Sequence, residues 1–166
     1  MVLELCDDSF LGSHAIFVLA ETEMEGVESE MNTELMFSSK TGNWITPPDF
    51  LKKLDEEFHF DFDPCPYPMP IWNGLEVSWR KCNYVNPPYG REVGKWVHKG
   101  FMEAQQDKTV VMLLPARTDT RWFHEWIYKE TRTEIRFLRG RLKFLSPDGK
   151  PMNSAPFPSM VVIFRP

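Results

Sequence analysis

Apolar residues recur along this chain with two periods that take turns. Phe50, Leu51, Leu54 and Phe58 share one side of a helix opening at Thr46-Pro47-Pro48, with Thr46 as its N-cap and proline in its first turn. Phe58 to Asp63 alternates apolar and polar, the period of a half-buried strand. Pro64–Pro70 is too rich in proline for anything but a loop, and Leu75–Trp79 fits neither period. Cys82–Val85 reads as a short strand, and Val93, Trp96, Val97, Phe101 and Ala104 form a helical stripe after it. Val110–Leu114 is a continuous apolar run, as in a strand buried on both faces. Asp119–Glu130 predicts a helix whose apolar side holds Trp122, Phe123, Trp126 and Ile127. Glu134–Leu138 and Arg141–Leu145, parted by Arg139-Gly140, predict strands or one bent ribbon, and Met160–Phe164 a closing strand. Strand and helix alternating in this way predict an α/β domain with a mostly parallel sheet. The last strands lack a helical pattern between them, which predicts an antiparallel C-terminal edge.

Residues 1–36 stand apart from this pattern. Nine of the chain's 24 acidic residues fall there, and all 19 Lys and Arg lie beyond, which leaves residues 37–166 at net +4 although the whole chain is −5. The expectation is a flexible acidic extension over 1–36 and one domain over 37–166. From Pro115 onward ten Lys or Arg face five Asp or Glu, so the C-terminal third has the balance of a surface for a polyanion. A solvated face with scattered charge is the plainer reading of that balance. Three cysteines, Cys6, Cys65 and Cys82, are too few and too scattered for a disulfide framework, and none lies in a zinc-ligand spacing. A reducing, cytosolic setting fits them. The apolar run Ala15–Ala20 is too short to span a bilayer, so no membrane partner is expected.

The most telling segment is Asn86-Pro87-Pro88-Tyr89, at the end of the strand Cys82–Val85. An Asn side-chain oxygen accepts from an amino group, two successive prolines fix the backbone and remove competing N–H donors, and a Tyr ring offers a face for stacking. Those parts suit a planar ring bearing an exocyclic amine, such as adenine N6. Ligands of open α/β sheets bind at the carboxyl ends of strands. Asp61 and Asp63, Asn86–Tyr89, and Pro115–Arg117 all fall at such ends. Thr46-Pro47 falls at a helix N-terminus, which favours an anion.

The tetrapeptide matches the (Asn/Asp/Ser)-Pro-Pro-(Tyr/Phe) motif of amino methyltransferases. From about Trp44 to Pro166 the chain resembles the phage-type DNA N6-adenine methyltransferases, the Dam-like group, in four ordered blocks. These are Trp44–Pro48, Phe60–Pro64, Tyr84–Gly90 and Leu113–Phe123, followed by a similar tail of Gly140–Phe144, Ala155–Phe157 and Val161–Pro166.

The resemblance implies a reduced Rossmann-like methyltransferase fold, S-adenosyl-L-methionine as cofactor and double-stranded DNA as partner. A phage or prophage origin would place the protein in the bacterial host cytoplasm. It assigns Asn86 and the Pro87 carbonyl to the target amine, with Pro88 bracing the turn and Tyr89 stacking on a flipped-out adenine. It gives Asp63 to the cofactor's ammonium, with Asp61 as runner-up, and gives Thr46 and Pro47 further cofactor contacts. Arg117 and Arg121 are candidates for phosphate contact, and Arg139, Arg141 and Lys143 for following the DNA backbone, with a solvated ribbon as the equal alternative. Trp44 and Trp122 read as core. Pro64-Cys65-Pro66 looks like the nucleophile motif of cytosine C5 chemistry, but beside an Asn-Pro-Pro-Tyr the thiol reads as structural.

Two departures stand out. A proline run replaces the Gly-rich turn expected after Asp63, and only 22 residues separate Asp63 from Asn86. A catalytically silent DNA-binding module therefore stays open. So does an amino methyltransferase acting on RNA, cytosine N4 or a protein amide.

Overall fold

The computed structural model describes residues 44–166 and the backbone of 16–19. The rest of the acidic segment 1–36, expected to be flexible, lies outside the described residues. Five strands and three helical segments follow one another: β1 (Ile16–Leu19), α1 (Pro48–Phe58), β2 (Cys82–Val85), α2 (Val93–Ala104), β3 (Thr109–Pro115), α3 (Arg121–Phe123, widening into π turns over His124–Tyr128), β4 (Thr133–Leu138) and β5 (Ser159–Phe164).

The sheet order is β1-β4-β5-β3-β2. Strands β2 and β3 pair in parallel, as do β1 and β4, while β5 runs antiparallel to both β3 and β4. Four strands thus share one direction. Because the reversed strand sits in the middle, the two longest ladders are antiparallel, from Val110↔Phe164 to Pro115↔Ser159 and from Thr133↔Phe164 to Phe137↔Met160. The fold is α/β as expected, but its pairing is mainly antiparallel, and the C-terminal strand is not an edge. The physical reason is burial: every residue of β5 is buried, and an apolar run such as Met160–Phe164 suits a strand covered on both faces. The connection from 139 to 158 is long enough to carry the chain back into the gap between β3 and β4.

Strand alternation divides the core into two layers. Val110, Met112 and Leu114 face α2, where they meet Val97, Trp96 and Ala104. Val111 and Leu113 face the other way, onto Leu54 of α1 with Tyr84, Phe144 and Phe157. Helix α2 lies close on β3 at Gly100, where a Cβ would sit 2.9 Å from Met112 Sδ and 3.3 Å from Val110 Cγ1. On the opposite layer Arg136 of β4 grips Glu57 of α1 with two bonds of 2.6 Å, and those bonds, with the guanidinium charge behind them, hold the Glu57 carboxyl below its ordinary range.

Several expected elements are shorter or shifted. The strand Phe58–Asp63 reduces to one bridge, Phe62↔Asn83, because Phe58 still belongs to α1 and His59 ends that helix in a left-handed conformation at φ 55°. Helix α1 is capped by Pro47, not Thr46, whose hydroxyl is engaged elsewhere. The expected helix Asp119–Glu130 is a short turn followed by π turns. The expected strand Arg141–Leu145 contributes only single bridges, from Leu145 to Ile45 and to Pro151.

Candidate active site

Three chain segments converge at the carboxyl end of β2. The tetrapeptide follows directly from Val85, so Asn86 lies just beyond the strand end. The segment 60–63 runs beside β2, with Tyr84 N–H donating to Phe62 O at 3.0 Å, which carries Asp63 to the same end. Reciprocal bonds between Ile45 and Leu145, 3.3 and 2.9 Å, fasten the third segment and hold Thr46, just ahead of α1, at the same end. Asp63, Thr46, Asn86, Tyr84 and Pro88 line one cavity of about 200 Å3, closed by Trp44 and by Cys65, Pro66, Tyr67 and Met69 of the proline-rich loop.

Asn86 is held at one end of its amide. Nδ2 donates to the Trp44 carbonyl and, at 3.1 Å, to Thr46 Oγ1. Oδ1 is buried and has no partner, one of three such side-chain atoms among the described residues. A carbonyl only accepts, so the atom facing Trp44 must be the amide nitrogen. A buried acceptor left unmatched costs on the order of 1–3 kcal/mol.

Asp63 accepts from Cys65 N–H at 2.8 Å. Burial pushes its pKa up to about 6, partly opposed by that bond, and among the described residues no cation pairs with it. Burial and then the neighbouring Asp63 charge push the Cys65 thiol up to about 12, so it holds its proton at neutral pH. Asp61 lies elsewhere: it is exposed, and its carboxylate accepts from Cys82 N–H at 3.0 Å, at the opposite end of β2. Pro47 caps α1 by accepting from Phe50 and Leu51, and is absent from the cavity wall.

A second cavity, about 830 Å3, opens on the other side of the tetrapeptide. Trp44 lines both cavities, half-buried, and its ring also packs against Phe144 and Phe157 of the core. Tyr89 lines the larger one, its ring edge-on to Phe144 and Phe157 and its hydroxyl donating to Leu113 O at 3.1 Å. Arg117 and Arg121 lie on this wall, and Trp122 with them.

Two more cations, Arg91 and Lys95, were missed from the sequence. The available signal was their place in the first turns after Tyr89-Gly90, where a helix leaving the strand end must border the same cleft. Glu125 is the one acid on the wall, 3.6 Å from Arg121. Arg139, Arg141 and Lys143 are exposed and follow the carboxyl end of β4, on the same end of the sheet but outside the cavity lining.

The model of the family described as DNA N-6-adenine-methyltransferase (Dam) matches residues 34–166. The chain belongs to the Dam family. A "DNA N-6-adenine-methyltransferase" of Haemophilus phage HP1 (strain HP1c1) is 26% identical to this Dam-family chain over 137 residues, covering 74% of the chain and 78% of the phage protein. No solved structure matches it. The family match takes in every residue of both cavities and starts upstream of the Trp44 block. Among the described residues of this Dam chain, no helix is long and apolar enough to cross a membrane.

Proposed function

We propose that this Dam-family chain methylates adenine N6 in double-stranded DNA with S-adenosyl-L-methionine as donor, in the cytoplasm of a bacterial host. The observation that carries the reading is the Asn86 amide, tethered by its nitrogen, with its oxygen unmatched, in a cavity shared with Asp63. The residues present fit the donor. Asp63 is a half-buried carboxylate with no cation partner among the described residues, suited to the methionyl ammonium, and Tyr67 and Met69 give the cavity an apolar wall. Bound there, the donor supplies an electrophilic sulfonium methyl group.

Adenine N6 is a weak nucleophile because its lone pair is delocalised into the ring. Asn86 Oδ1 and the Pro87 carbonyl accept its two N–H bonds, draw the nitrogen toward tetrahedral geometry and localise that lone pair. No strong base has to act before attack, and positioning supplies much of the rate. Tyr89 presents its ring to the flipped base from the larger cavity. Arg91, Lys95, Arg117 and Arg121 take the phosphates beside it. In this reading the strands form a reduced Rossmann-like methyltransferase sheet, four sharing one direction around a reversed β5, with the domain spanning about 37–166.

Incubation with tritiated S-adenosyl-L-methionine and unmodified duplex DNA tests the proposal, with label expected in N6-methyladenine. Label in N4-methylcytosine, RNA or protein would replace the substrate. Absence of transfer together with intact DNA binding would favour a silent binding module.

A further inference from the structure

We propose that Thr46, fixed by Tyr84, is a positioning residue that sets which end of the Asn86 amide meets the substrate. This rests on the functional reading above only for its kinetic arm. The two ends of an Asn amide are nearly isosteric, and rotation about χ2 exchanges them. In one orientation Asn86 presents an acceptor to a target amine; in the other it presents two donors and repels it.

Three neighbours decide between these orientations. The Trp44 carbonyl accepts one Nδ2 hydrogen, and Thr46 Oγ1 accepts at 3.1 Å from the same nitrogen. A flipped amide would set Oδ1 against the Trp44 carbonyl, oxygen on oxygen. Thr46 Oγ1 is in turn 2.7 Å from the Tyr84 hydroxyl, and with Thr46 donating to the tyrosine its proton is committed there and only a lone pair is left for the Asn86 amide. Thr46 and Tyr84 are 8% and 3% exposed, so water does not compete for these bonds.

Tyr84 stands two residues before Asn86 on β2, and its ring packs 5.4 Å from Phe60. The chain Tyr84–Thr46–Asn86 therefore runs from the rigid sheet to the unmatched oxygen. Thr46 spends its hydroxyl here and not on capping α1, which begins at Pro48 with Pro47 as cap. A residue that resemblance assigns to cofactor contact instead has its polar atom turned toward the amide.

The experiment compares Thr46→Val, Thr46→Ser and Tyr84→Phe with wild type in the full chain. Thr46→Val keeps the shape and removes the hydroxyl. It should lower kcat by about tenfold, the size of one hydrogen bond, with donor affinity by calorimetry unchanged. Thr46→Ser should restore kcat, and Tyr84→Phe should give a smaller fall. Independently of activity, the Asn86 side-chain amide signals in nitrogen-15 NMR should be hydrogen-bonded and resolved in wild type, and move toward free-amide positions in Thr46→Val. Weaker donor binding with kcat and the Asn86 signals unchanged would overturn the proposal and make Thr46 a donor contact. A wild type that transfers no methyl group would remove the functional reading, and the amide signals alone would then decide the positioning.

Discussion

The cavity holding Asp63 encloses about 200 Å3, and the one beyond Tyr89 about 830 Å3. The smaller is made by main-chain ties: the Phe62–Tyr84 bond, the Ile45–Leu145 pair and the Trp44 carbonyl on Asn86. Its one ionisable acid is half-buried and has no cation partner among the described residues. The larger is rimmed by Arg91, Lys95, Arg117 and Arg121 on flexible stems, with exposed pairs such as Lys95–Glu92 that hold them weakly. A site for a compact ligand of fixed shape needs the first construction. A site for a polymer whose sequence and groove width vary is better served by the second. The shared wall, Trp44, is where the two ligands would come within reach of each other.

The comparison breaks most clearly at Asn86. Asn86→Ala should cut kcat by about 10² to 10³, the range seen when one preorganised polar contact to a transition state is lost, while donor and DNA affinities hold. Single-turnover methyl transfer checks this, and near-normal turnover would remove the amide from the chemistry.

Asp63→Asn tests the small cavity next. Donor binding should weaken by about tenfold or more, with an ion pair to a half-buried carboxylate lost. In wild type, Asp63 is ionised above its pKa of about 6. Donor affinity should therefore be full above pH 6 and decline by up to about tenfold per unit below it, a dependence the variant lacks. The sign for the empty protein is opposite. Folded Asp63 keeps its proton up to about 6 where the ordinary value is 3.8, so its contribution to stability weakens as pH rises across that window. Asp61→Asn should leave donor binding unchanged, and a loss as large as that of Asp63→Asn would exchange their roles. Calorimetry over pH 5–8 reads the donor-binding outcomes, and thermal unfolding between pH 3.8 and about 6 reads the stability one.

The large cavity should respond more gently and to salt. Arg117→Ala and Arg121→Ala should each weaken duplex binding several-fold and reduce the slope of log affinity against log salt by about 1. Arg139→Ala should change the slope less, since that residue stands outside the cavity lining. Fluorescence anisotropy at several salt concentrations measures both. The smallest effect concerns Tyr89. Tyr89→Phe removes the bond to Leu113 O, which should cost about 1 kcal/mol of stability in thermal unfolding, and leaves transfer rates within about twofold, because the ring is retained.

Much of the small cavity was legible in the sequence, and the reason is local. Asn86–Tyr89 must lie at a strand end because Tyr84-Val85 precedes it and two prolines stop the strand, and Asp63 stands just before Pro64. Thr46 was legible as a site residue but not as a partner of Asn86, since a contact across 40 positions leaves no periodic trace. Arg91 and Lys95 look like any solvated helix start, and only the fold shows which cavity they border. The placement of β5 was illegible for a related reason. Its apolar run announced burial, yet adjacency in sequence suggested an edge, and nothing local encodes insertion between β3 and β4. The π turns at His124–Tyr128 escaped because Trp122, Phe123, Trp126 and Ile127 satisfy ordinary helical spacing equally well.

The central place of β5 bears on how the molecule is made. β3 and β4 do not touch in the sheet except through residues 159–164. Until the ribosome has delivered that stretch, the nascent polypeptide holds two half-sheets, each with an unpaired border open to other chains. Assembly is then a late, long-range closure, slow by its topology, and damage to those six residues would be felt as insolubility before it was felt as lost methylation.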